Sequence, residues 1–194
     1  MKRCAWVNDE EIYKEYHDQE WGIPVYDDQK LFEMLILEGA QAGLSWITIL
    51  KRRENYRKAF DEFNVEKVAS YDEDKVQQLL SNEGIIRNKL KVRGTVKNAK
   101  ALLAIQKEFG SFSSYIWAFT EGTPIINNWQ STDEVPAETE LSNKISKDMK
   151  KRGFTFVGPV IMYSFMQAVG MVNDHTKDCF RHPTNQGESL SSVD

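Results

Sequence analysis

Apolar residues in this chain recur three and four positions apart, the spacing that places side chains on one face of a helix. Leu31, Phe32, Leu35 and Ile36 follow this spacing, and so does a long amphipathic run over residues 88–109. The alternation of apolar and polar residues that marks a half-buried β-strand is almost absent. We therefore predict an all-α architecture.

Capping residues and glycines predict where the individual helices begin and end. Asp27 and Asp28 precede the first apolar run, and Gly39 and Gly43 are predicted to end that helix in a bend. The other predicted features are a helix over 45–60, short helices starting at Asn64 and Asp72, a helix from 88 closed by Gly110, a short helix over 115–119, a helix over 139–152, an apolar connection over 153–158 and a helix over 159–167.

The composition is that of an ordinary globular protein, since 41% of the 194 residues are hydrophobic and 28% are charged. This excludes a wholly disordered, collagen-like or coiled-coil chain. No apolar stretch approaches the roughly 20 residues that a membrane helix requires, and the N-terminus lacks the apolar middle of a signal peptide. We expect a soluble cytoplasmic protein with one domain over residues 1–182 and a disordered polar tail over 183–194.

The only two cysteines are better suited to a metal site than to a disulfide, because a reducing compartment disfavours structural disulfides. His175 and Cys179 are four residues apart, which on a helix brings an imidazole and a thiol to one face. Cys4 and His17 offer a second such pair, completing the closed tetrahedral set that structural zinc prefers. Four protein ligands leave no open position, which disfavours hydrolysis by a metal-bound hydroxide. The alternative is two buried thiols and two incidental histidines, while His182 is expected to be exposed.

Glu38 is the only charged residue in the apolar run of residues 34–50. A buried carboxylate must be protonated or find hydrogen-bond donors, so an apolar pocket around an unpaired one is a site for a cationic or amine-bearing ligand. The alternative is a glutamate at a helix end that points to water.

Aromatic residues crowd the start of the chain, where three of the five tryptophans lie within the first 46 residues. Tyr13 and Tyr16 are three residues apart and share a helical face next to His17. Stacking faces, phenolic hydroxyls and one carboxylate are what a pocket for a flat nucleobase requires. The alternative is that these aromatic residues belong to the core. The set comprises Trp6, Tyr13, Tyr16, Trp21 and Trp46.

Cations are unevenly distributed, although the net charge of −4 gives no overall attraction to nucleic acid. A basic run ending in Lys151 and Arg152 leads directly into the connection between Gly153 and Gly158. The backbone amides of that connection, with the N-terminus of the next helix, are suited to holding a phosphate without reading sequence. The alternative is a solvated helix face.

Ordered motifs run along nearly the whole chain. They are CAW (4–6), YHD (16–18), EWG (20–22), LFEM (31–34), QAGLSWIT (41–48), GIIR (84–87), KRGF (151–154), FVG (156–158), YSFMQA (163–168) and VNDH (172–175). In type, order and spacing they resemble the bacterial constitutive 3-methyladenine-DNA glycosylases, a branch of the helix-hairpin-helix glycosylases. The resemblance implies their helical fold with the hairpin near residues 144–170, and one structural Zn²⁺ joining the N- and C-terminal segments. The implied zinc ligands are Cys4, His17, His175 and Cys179.

The same resemblance implies a base-binding pocket with Glu38 as the catalytic residue, accepting hydrogen bonds from the adenine edge. Trp46 is the implied stacking face, and the other implied substrate-binding residues are Tyr13, Tyr16, Trp6 and Trp21. Methylation at N3 gives adenine a positive charge and weakens the glycosidic bond, so little acid catalysis is required.

For DNA, the resemblance implies that Gln41 and Leu44 fill the gap left in the duplex when the damaged nucleotide rotates out. The remaining DNA-binding set is Lys151, Arg152, Gly153 and Gly158. The hairpin has no lysine at an evident nucleophile position, which favours a monofunctional glycosylase without strand cleavage. The implied partners are alkylated double-stranded DNA and free 3-methyladenine as product, bound by a monomer.

Two other functions compete with this interpretation. A non-catalytic helix-hairpin-helix DNA-binding module would keep the cationic hairpin but has no use for a buried Glu38 beside Trp46. A zinc-braced protein that binds a small molecule in the aromatic pocket would show no salt-dependent affinity for duplex DNA.

Overall fold

The computed structural model describes residues 1–186, and the regular secondary structure in this range is almost entirely helical. The helices are α1 Glu11–Gln19, α2 Asp28–Gln41, α3 Trp46–Ala59, α4 Val65–Ala69, α5 Glu73–Leu80, α6 Lys89–Phe109, α7 Phe112–Trp117, α8 Glu140–Lys151, α9 Pro159–Ala168 and α10 Pro183–Gln186. Single turns of 3-10 helix lie at Asp61–Phe63, Ala118–Thr120 and Thr132–Glu134. Strands β1 Ile125–Ile126 and β2 Val172–Asn173 form one short parallel pair, with Ile125 opposite Val172. The predicted helical architecture is confirmed, with this pair as a minor addition.

Most predicted helix starts are confirmed. In most cases a capping side chain accepts a hydrogen bond from a backbone N–H in the first turn of the helix. Asp27, Asn64, Asp72 and Asn88 each cap a helix in this way. Thr139 forms a capping box with Ser142 at the start of α8, and Pro159 occupies the first turn of α9. Gly110, with a φ of +86°, follows the end of α6 as predicted.

Helix α2 forms the centre of the molecule, and every residue from 31 to 40 is buried. It contacts α3, α6, α7 and α9. The carboxylate of Asp28 in its first turn accepts hydrogen bonds from the backbone N–H groups of Phe112 and Ser113, which fixes the start of α7. Because α2 carries Glu38 near its end, this packing holds Glu38 inside the protein. No helix in residues 1–186 combines the length and apolar character needed to cross a bilayer.

The bend after α2 begins later than predicted, because the prediction that Gly39 ends the helix is wrong. Helix α2 continues to Gln41, and a Cβ on Gly39 would lie 3.2 Å from the Cβ of Phe156. Gly39 therefore permits a close approach between α2 and the connection over residues 152–158. Gly43 lies in the bend itself with a φ of +80°, a backbone conformation that favours glycine.

The prediction that His182 is exposed is also wrong. His182 is fully buried. Its Nε2 atom lies 3.0 Å from the carbonyl oxygen of Asn127, and its Nδ1 atom lies 2.8 Å from the hydroxyl of Thr184. The predicted disordered tail begins with the short helix α10. Residues 187–194, the rest of that prediction, lie outside the described residues.

Candidate functional site

A cavity of about 210 Å³ opens between α1, the end of α2, the start of α3, α9 and the 3-10 turn at Thr132–Glu134. A cavity of roughly 150 Å³ admits benzene, so this one has room for a larger flat ring system. All residues predicted for base binding line it, namely Trp6, Tyr13, Tyr16, Trp21, Glu38 and Trp46.

Glu38 is buried in the wall of this cavity, with only 4% of its surface exposed. Within residues 1–186 its carboxylate has no hydrogen-bond or ion-pair partner. Burial raises the pKa of Glu38 to about 8, because it penalises the charged form. A cation in the cavity would favour ionisation, so the site is suited to a positively charged ligand. The alternative of a water-facing glutamate is wrong.

Tyr13 and Tyr16 both project from α1 into the cavity. Burial, followed by the nearby charge of Glu38, raises the pKa of each phenol. Both hydroxyls therefore keep their protons at neutral pH and are available as hydrogen-bond donors. The ring of Tyr16 lies 5.4 Å from that of Trp46, centroid to centroid, so the two form one aromatic wall.

The indole rings provide both stacking surfaces and free donors. The centroid of Trp6 lies 5.0 Å from those of Tyr13 and Trp21. The Nε1 atoms of Trp6 and Trp46 are buried without an acceptor in residues 1–186. Burying an unpaired N–H costs about 1–3 kcal/mol, and a ligand with suitable acceptors removes that cost.

Several cavity residues were missed by the sequence reasoning because they lie far from the aromatic cluster along the chain. The hydroxyl of Thr132 borders the cavity and is buried without a partner in the described part of the protein. It comes from a polar stretch with no periodic pattern, so no sequence signal identifies it. The other missed residues are Val135, Ser164 and Gln167.

Asp174 also borders the cavity, but its carboxylate is fully engaged. Its Oδ1 atom accepts from the side-chain nitrogens of Asn127 at 2.6 Å and Trp129 at 2.8 Å. Its Oδ2 atom accepts from the hydroxyl of Tyr163 at 2.5 Å and the side-chain nitrogen of Gln167 at 2.9 Å. With two donors on each oxygen, Asp174 joins β2, α9 and the loop after β1 and is poorly placed to activate water.

Four buried ligand atoms from Cys4, His17, His175 and Cys179 lie within 4.8 Å of one another, which is close enough to hold a metal ion. The Sγ atom of Cys179 lies 3.4 Å from Nε2 of His17 and 3.5 Å from Nδ1 of His175. The Sγ atom of Cys4 lies 3.6 Å from Nδ1 of His175. Tetrahedral coordination with ordinary Zn–S and Zn–N bonds gives S···N distances of about 3.6 Å. The donor set therefore fits a tetrahedral ion.

The ring nitrogens that face away from this cluster fix the histidine tautomers. Nδ1 of His17 lies 2.7 Å from a carboxylate oxygen of Asp18, and Nε2 of His175 lies 3.0 Å from the carbonyl oxygen of Trp21. Each of these nitrogens carries the proton, so the other nitrogen of each ring directs a lone pair at the cluster. Hydrogen bonding from the Cys4 thiol lowers the pKa of Cys179 against the opposing effect of burial, which favours a thiolate there.

The expectation that His175 and Cys179 share a helical face is wrong. The segment forms turns, in which the backbone N–H of Cys179 donates to the carbonyl oxygen of Thr176. The two ligand atoms still converge, because a turn also brings residues four apart together.

The predicted DNA-contacting residues lie in, or directly before, two exposed connections. In the bend after α2, Leu44 is 38% exposed, and Nε2 of Gln41 donates to its carbonyl oxygen at 3.0 Å. Gln41 also borders the cavity, so the bend lies beside the cavity.

In the connection between α8 and α9, Gly153 and Gly158 have open space where a side chain would lie, and Lys151 is exposed. Arg152 pairs with Glu108 at 2.7 Å and Asp148 at 2.8 Å. Its charge is therefore already balanced by carboxylates, whereas Lys151 forms no ion pair within residues 1–186.

Comparisons with known proteins identify the family. A family model described as methyladenine glycosylase matches residues 6–182. The DNA-3-methyladenine glycosylase of Haemophilus influenzae is 49% identical over 177 residues, which span 91% of this chain and 96% of that protein. A crystal structure of 3-methyladenine DNA glycosylase I superposes with a TM-score of 0.92 at 50% identity, covering 94% of this chain and 100% of that one.

A structure that addresses 3-methyladenine recognition by the Staphylococcus aureus 3-methyladenine DNA glycosylase I superposes with a TM-score of 0.91 at 37% identity, covering 94% of this chain and 97% of that one. Sequence and structural similarity thus extend over nearly the whole chain. The chain belongs to the methyladenine glycosylase family.

Proposed function

We propose that this protein is a DNA base-excision repair glycosylase that flips 3-methyladenine out of alkylated double-stranded DNA and releases it by hydrolysis, without cutting the strand. The observation that carries the proposal is the unpaired, buried carboxylate of Glu38 inside an aromatic cavity. A protein that only bound DNA would have no use for such a group, and its desolvation would lower stability.

Recognition in this proposal depends on the positive charge that methylation gives to adenine. The aromatic wall formed by Trp46 and Tyr16 stacks on the base, and π-faces attract a cation. Glu38 accepts hydrogen bonds from the adenine edge and becomes ionised beside the cation. The indole N–H of Trp6 and the hydroxyl of Tyr13 have no partner within residues 1–186 and can donate to the acceptor atoms of the base.

Bond cleavage requires little from the protein, because the cationic base is already a good leaving group. The cavity binds the departing base, and water captures the oxocarbenium-like sugar. The fully engaged carboxylate of Asp174 agrees with a mechanism that has no strong general base.

DNA engagement uses the two exposed connections, the bend after α2 and the segment between α8 and α9. Leu44 fills the gap that the flipped nucleotide leaves, with Gln41 beside it. Lys151 and the amides around Gly153 and Gly158 hold backbone phosphates. Arg152 contributes less charge than Lys151, because Glu108 and Asp148 already pair with it.

The proposal includes one structural Zn²⁺ bound by Cys4, His17, His175 and Cys179, in a monomer that works in the cytoplasm. The ion would link the segment before α1 to the segment after β2 and leave no position open for water. Elemental analysis is expected to find one zinc per chain, and Cys4→Ser is expected to lower both the zinc content and the free energy of unfolding. Substoichiometric zinc together with unchanged stability of Cys4→Ser would reject the metal site.

A base-release assay with Glu38→Gln tests the function. The variant keeps the shape of the side chain and removes its ability to ionise beside the cation. It is expected to weaken binding of free 3-methyladenine and to slow excision by about tenfold to a hundredfold, the effect of losing a hydrogen bond to a charged group. Glu33→Gln is the matched control, since Glu33 is buried in the same helix but does not line the cavity.

Duplex binding at two salt concentrations completes this test. The proposal predicts an affinity that falls with salt, as phosphate contacts require. If the unmodified protein binds duplex DNA but releases no base, it is a non-catalytic DNA-binding module. Binding of 3-methyladenine without salt-dependent duplex affinity would indicate a small-molecule-binding protein.

A further inference from the structure

Helix α6 contacts both exposed connections that the proposed function assigns to DNA, yet none of its residues lines the base cavity. Two polar side chains make these contacts, Lys91 to the bend after α2 and Asn98 to the connection between α8 and α9. They are seven residues apart, which is two helical turns and about 10 Å along one face. Neither residue belongs to the site described above.

Lys91 supplies hydrogen-bond donors to carbonyl oxygens at the end of α2. Its ammonium group donates hydrogen bonds to the carbonyl oxygens of Ala40 at 2.9 Å and Ala42 at 2.8 Å. The last carbonyls of a helix lack partners within the helix, and a positive charge there also interacts favourably with the helix dipole. These two carbonyls flank Gln41 and lie just before Leu44, so Lys91 fixes the backbone from which both side chains project.

Asn98 holds the other connection in the same manner. Its side-chain amide donates to the carbonyl oxygen of Thr155 at 2.9 Å and accepts from the backbone N–H of Thr155 at 2.8 Å. Asn98 is 3% exposed, so the pair of hydrogen bonds is shielded from water. It takes the place of the backbone partners that this irregular segment lacks.

Phe156 fills the space between the two contacts. A Cβ on Gly94 of α6 would lie 3.0 Å from the ring of Phe156, and a Cβ on Gly39 of α2 would lie 3.2 Å from its Cβ atom. Phe156 adopts a φ of +56°, a strained conformation for a large residue. Tight packing at two glycines maintains this conformation and leaves the connection little freedom to shift against the bend.

We propose that Lys91 is a positioning residue for DNA engagement: with Asn98, it holds the bend that carries Gln41 and Leu44 at a fixed distance from the connection over residues 152–158, so that both meet one duplex at once. This inference rests on the proposed DNA contacts of the two connections. It separates DNA engagement, which depends on α6, from base recognition, which does not.

The test compares Lys91→Met with Lys97→Met. Lys97 is exposed on the same helix, so its replacement removes the same charge without touching the bend. Three quantities are measured: the single-turnover excision rate on a duplex with one 3-methyladenine, the affinity for a duplex with an abasic-site analogue, and the affinity for free 3-methyladenine from tryptophan fluorescence.

Lys91→Met is expected to reduce the excision rate and the duplex affinity about tenfold, the loss expected for hydrogen bonds from a charged donor, while free-base affinity stays within about twofold. Lys97→Met should keep all three within about twofold. Lys91→Arg, which retains the charge and the donors, should recover most of the loss.

Duplex affinity and excision of Lys91→Met equal to those of Lys97→Met would overturn the inference. An equal loss of free-base affinity would also overturn it, because Lys91 would then support the whole fold. If Lys91→Met does not fold, Lys91→Gln, with one short neutral donor group, replaces it and the same outcomes apply.

The results that would refute the proposed function differ from those that would refute the role of Lys91. Unmodified protein that releases no 3-methyladenine would refute glycosylase activity, while the duplex-affinity comparison would still decide the role of Lys91. Leu44→Ala with unchanged duplex affinity and excision would refute the gap-filling role of Leu44 and leave the comparison of the lysine variants intact.

Discussion

Two buried glutamates of α2, five residues apart, have side-chain pKa values that are shifted in opposite directions. Glu33 is 7% exposed and Glu38 is 4% exposed. In both residues the effect of burial, taken alone, is to raise the pKa of the carboxyl group. Glu33 accepts hydrogen bonds from Arg53 at 2.6 Å and Arg57 at 3.0 Å, and the charge of Arg53 overcomes burial and lowers its pKa. Glu38 has no such partner in residues 1–186, and its pKa rises to about 8.

The difference shows that burial by itself does not identify a functional carboxylate. Arg53 also makes two hydrogen bonds of 2.8 Å to Glu20, so one guanidinium links the segment after α1 with α2 and α3. That network is complete within the protein and serves the fold. Glu38 lacks a partner in a cavity, and this incompleteness indicates a ligand.

The largest expected effect comes from removing the partner of Glu33. Arg53→Met leaves the carboxylates of Glu33 and Glu20 without their main partner, and we expect the free energy of unfolding to fall by about 3–5 kcal/mol. Urea denaturation measures the change. Arg93→Met is the control, because its ion pair with Glu73 is exposed and should contribute less than about 1 kcal/mol. Equal losses in the two variants would remove the distinction between a buried network and a surface pair.

The pH dependence of stability should differ in sign between the two glutamates. The pKa of Glu38 rises from an ordinary value of 4.5 to about 8 on folding, so the unfolded chain loses this proton first as the pH rises. The stability contributed by protonated Glu38 is present below pH 4.5 and is lost between pH 4.5 and about 8, by at most about 1.4 kcal/mol per pH unit.

For Glu33 the pKa is lowered on folding, so its contribution is present above its ordinary pKa and is lost as the pH falls. The measurement is urea denaturation at several pH values for unmodified protein, Glu38→Gln and Glu33→Gln. The advantage of Glu38→Gln over unmodified protein should grow from pH 5 to pH 8. Parallel curves over this interval would mean that Glu38 is solvated or paired in solution.

Local signals explain why much of the fold could be predicted. Asp27, Asn64, Asp72 and Asn88 each cap a helix through a hydrogen bond only three residues away, which a sequence displays directly. The isolated position of Glu38 in an apolar run left two interpretations, a buried carboxylate and a water-facing one, and its burial in the structure decides between them.

Apart from the cluster of Cys4, His17, His175 and Cys179, most contacts between distant segments could not be predicted. The pairing of Glu33 with Arg53 spans 20 residues and that of His182 with Asn127 spans 55, and neither has a local signature. Gly39 was misassigned for the same reason, since its role depends on Phe156 in a distant connection. Thr132 and Asp174 reach the cavity from irregular segments, where periodicity carries no information.

The smallest expected effect extends the comparison from carboxylates to hydroxyls. The Thr132 hydroxyl is buried at the cavity without a partner in residues 1–186, whereas that of Thr120 donates to the carbonyl oxygen of Trp117 at 3.2 Å. Thr120→Val should therefore lower the free energy of unfolding by about 1 kcal/mol, while Thr132→Val leaves it unchanged or slightly higher.

Binding should show the reverse order, because a free hydroxyl at the cavity can hydrogen-bond a ligand and an engaged one away from it cannot. We expect Thr132→Val to weaken binding of free 3-methyladenine by about threefold to tenfold, the range for one neutral hydrogen bond, and Thr120→Val to leave it unchanged. Urea denaturation and fluorescence titration of the two variants measure both quantities. A Thr132→Val variant that loses stability but not affinity would show that its hydroxyl serves the fold, as the carboxylate of Glu33 does.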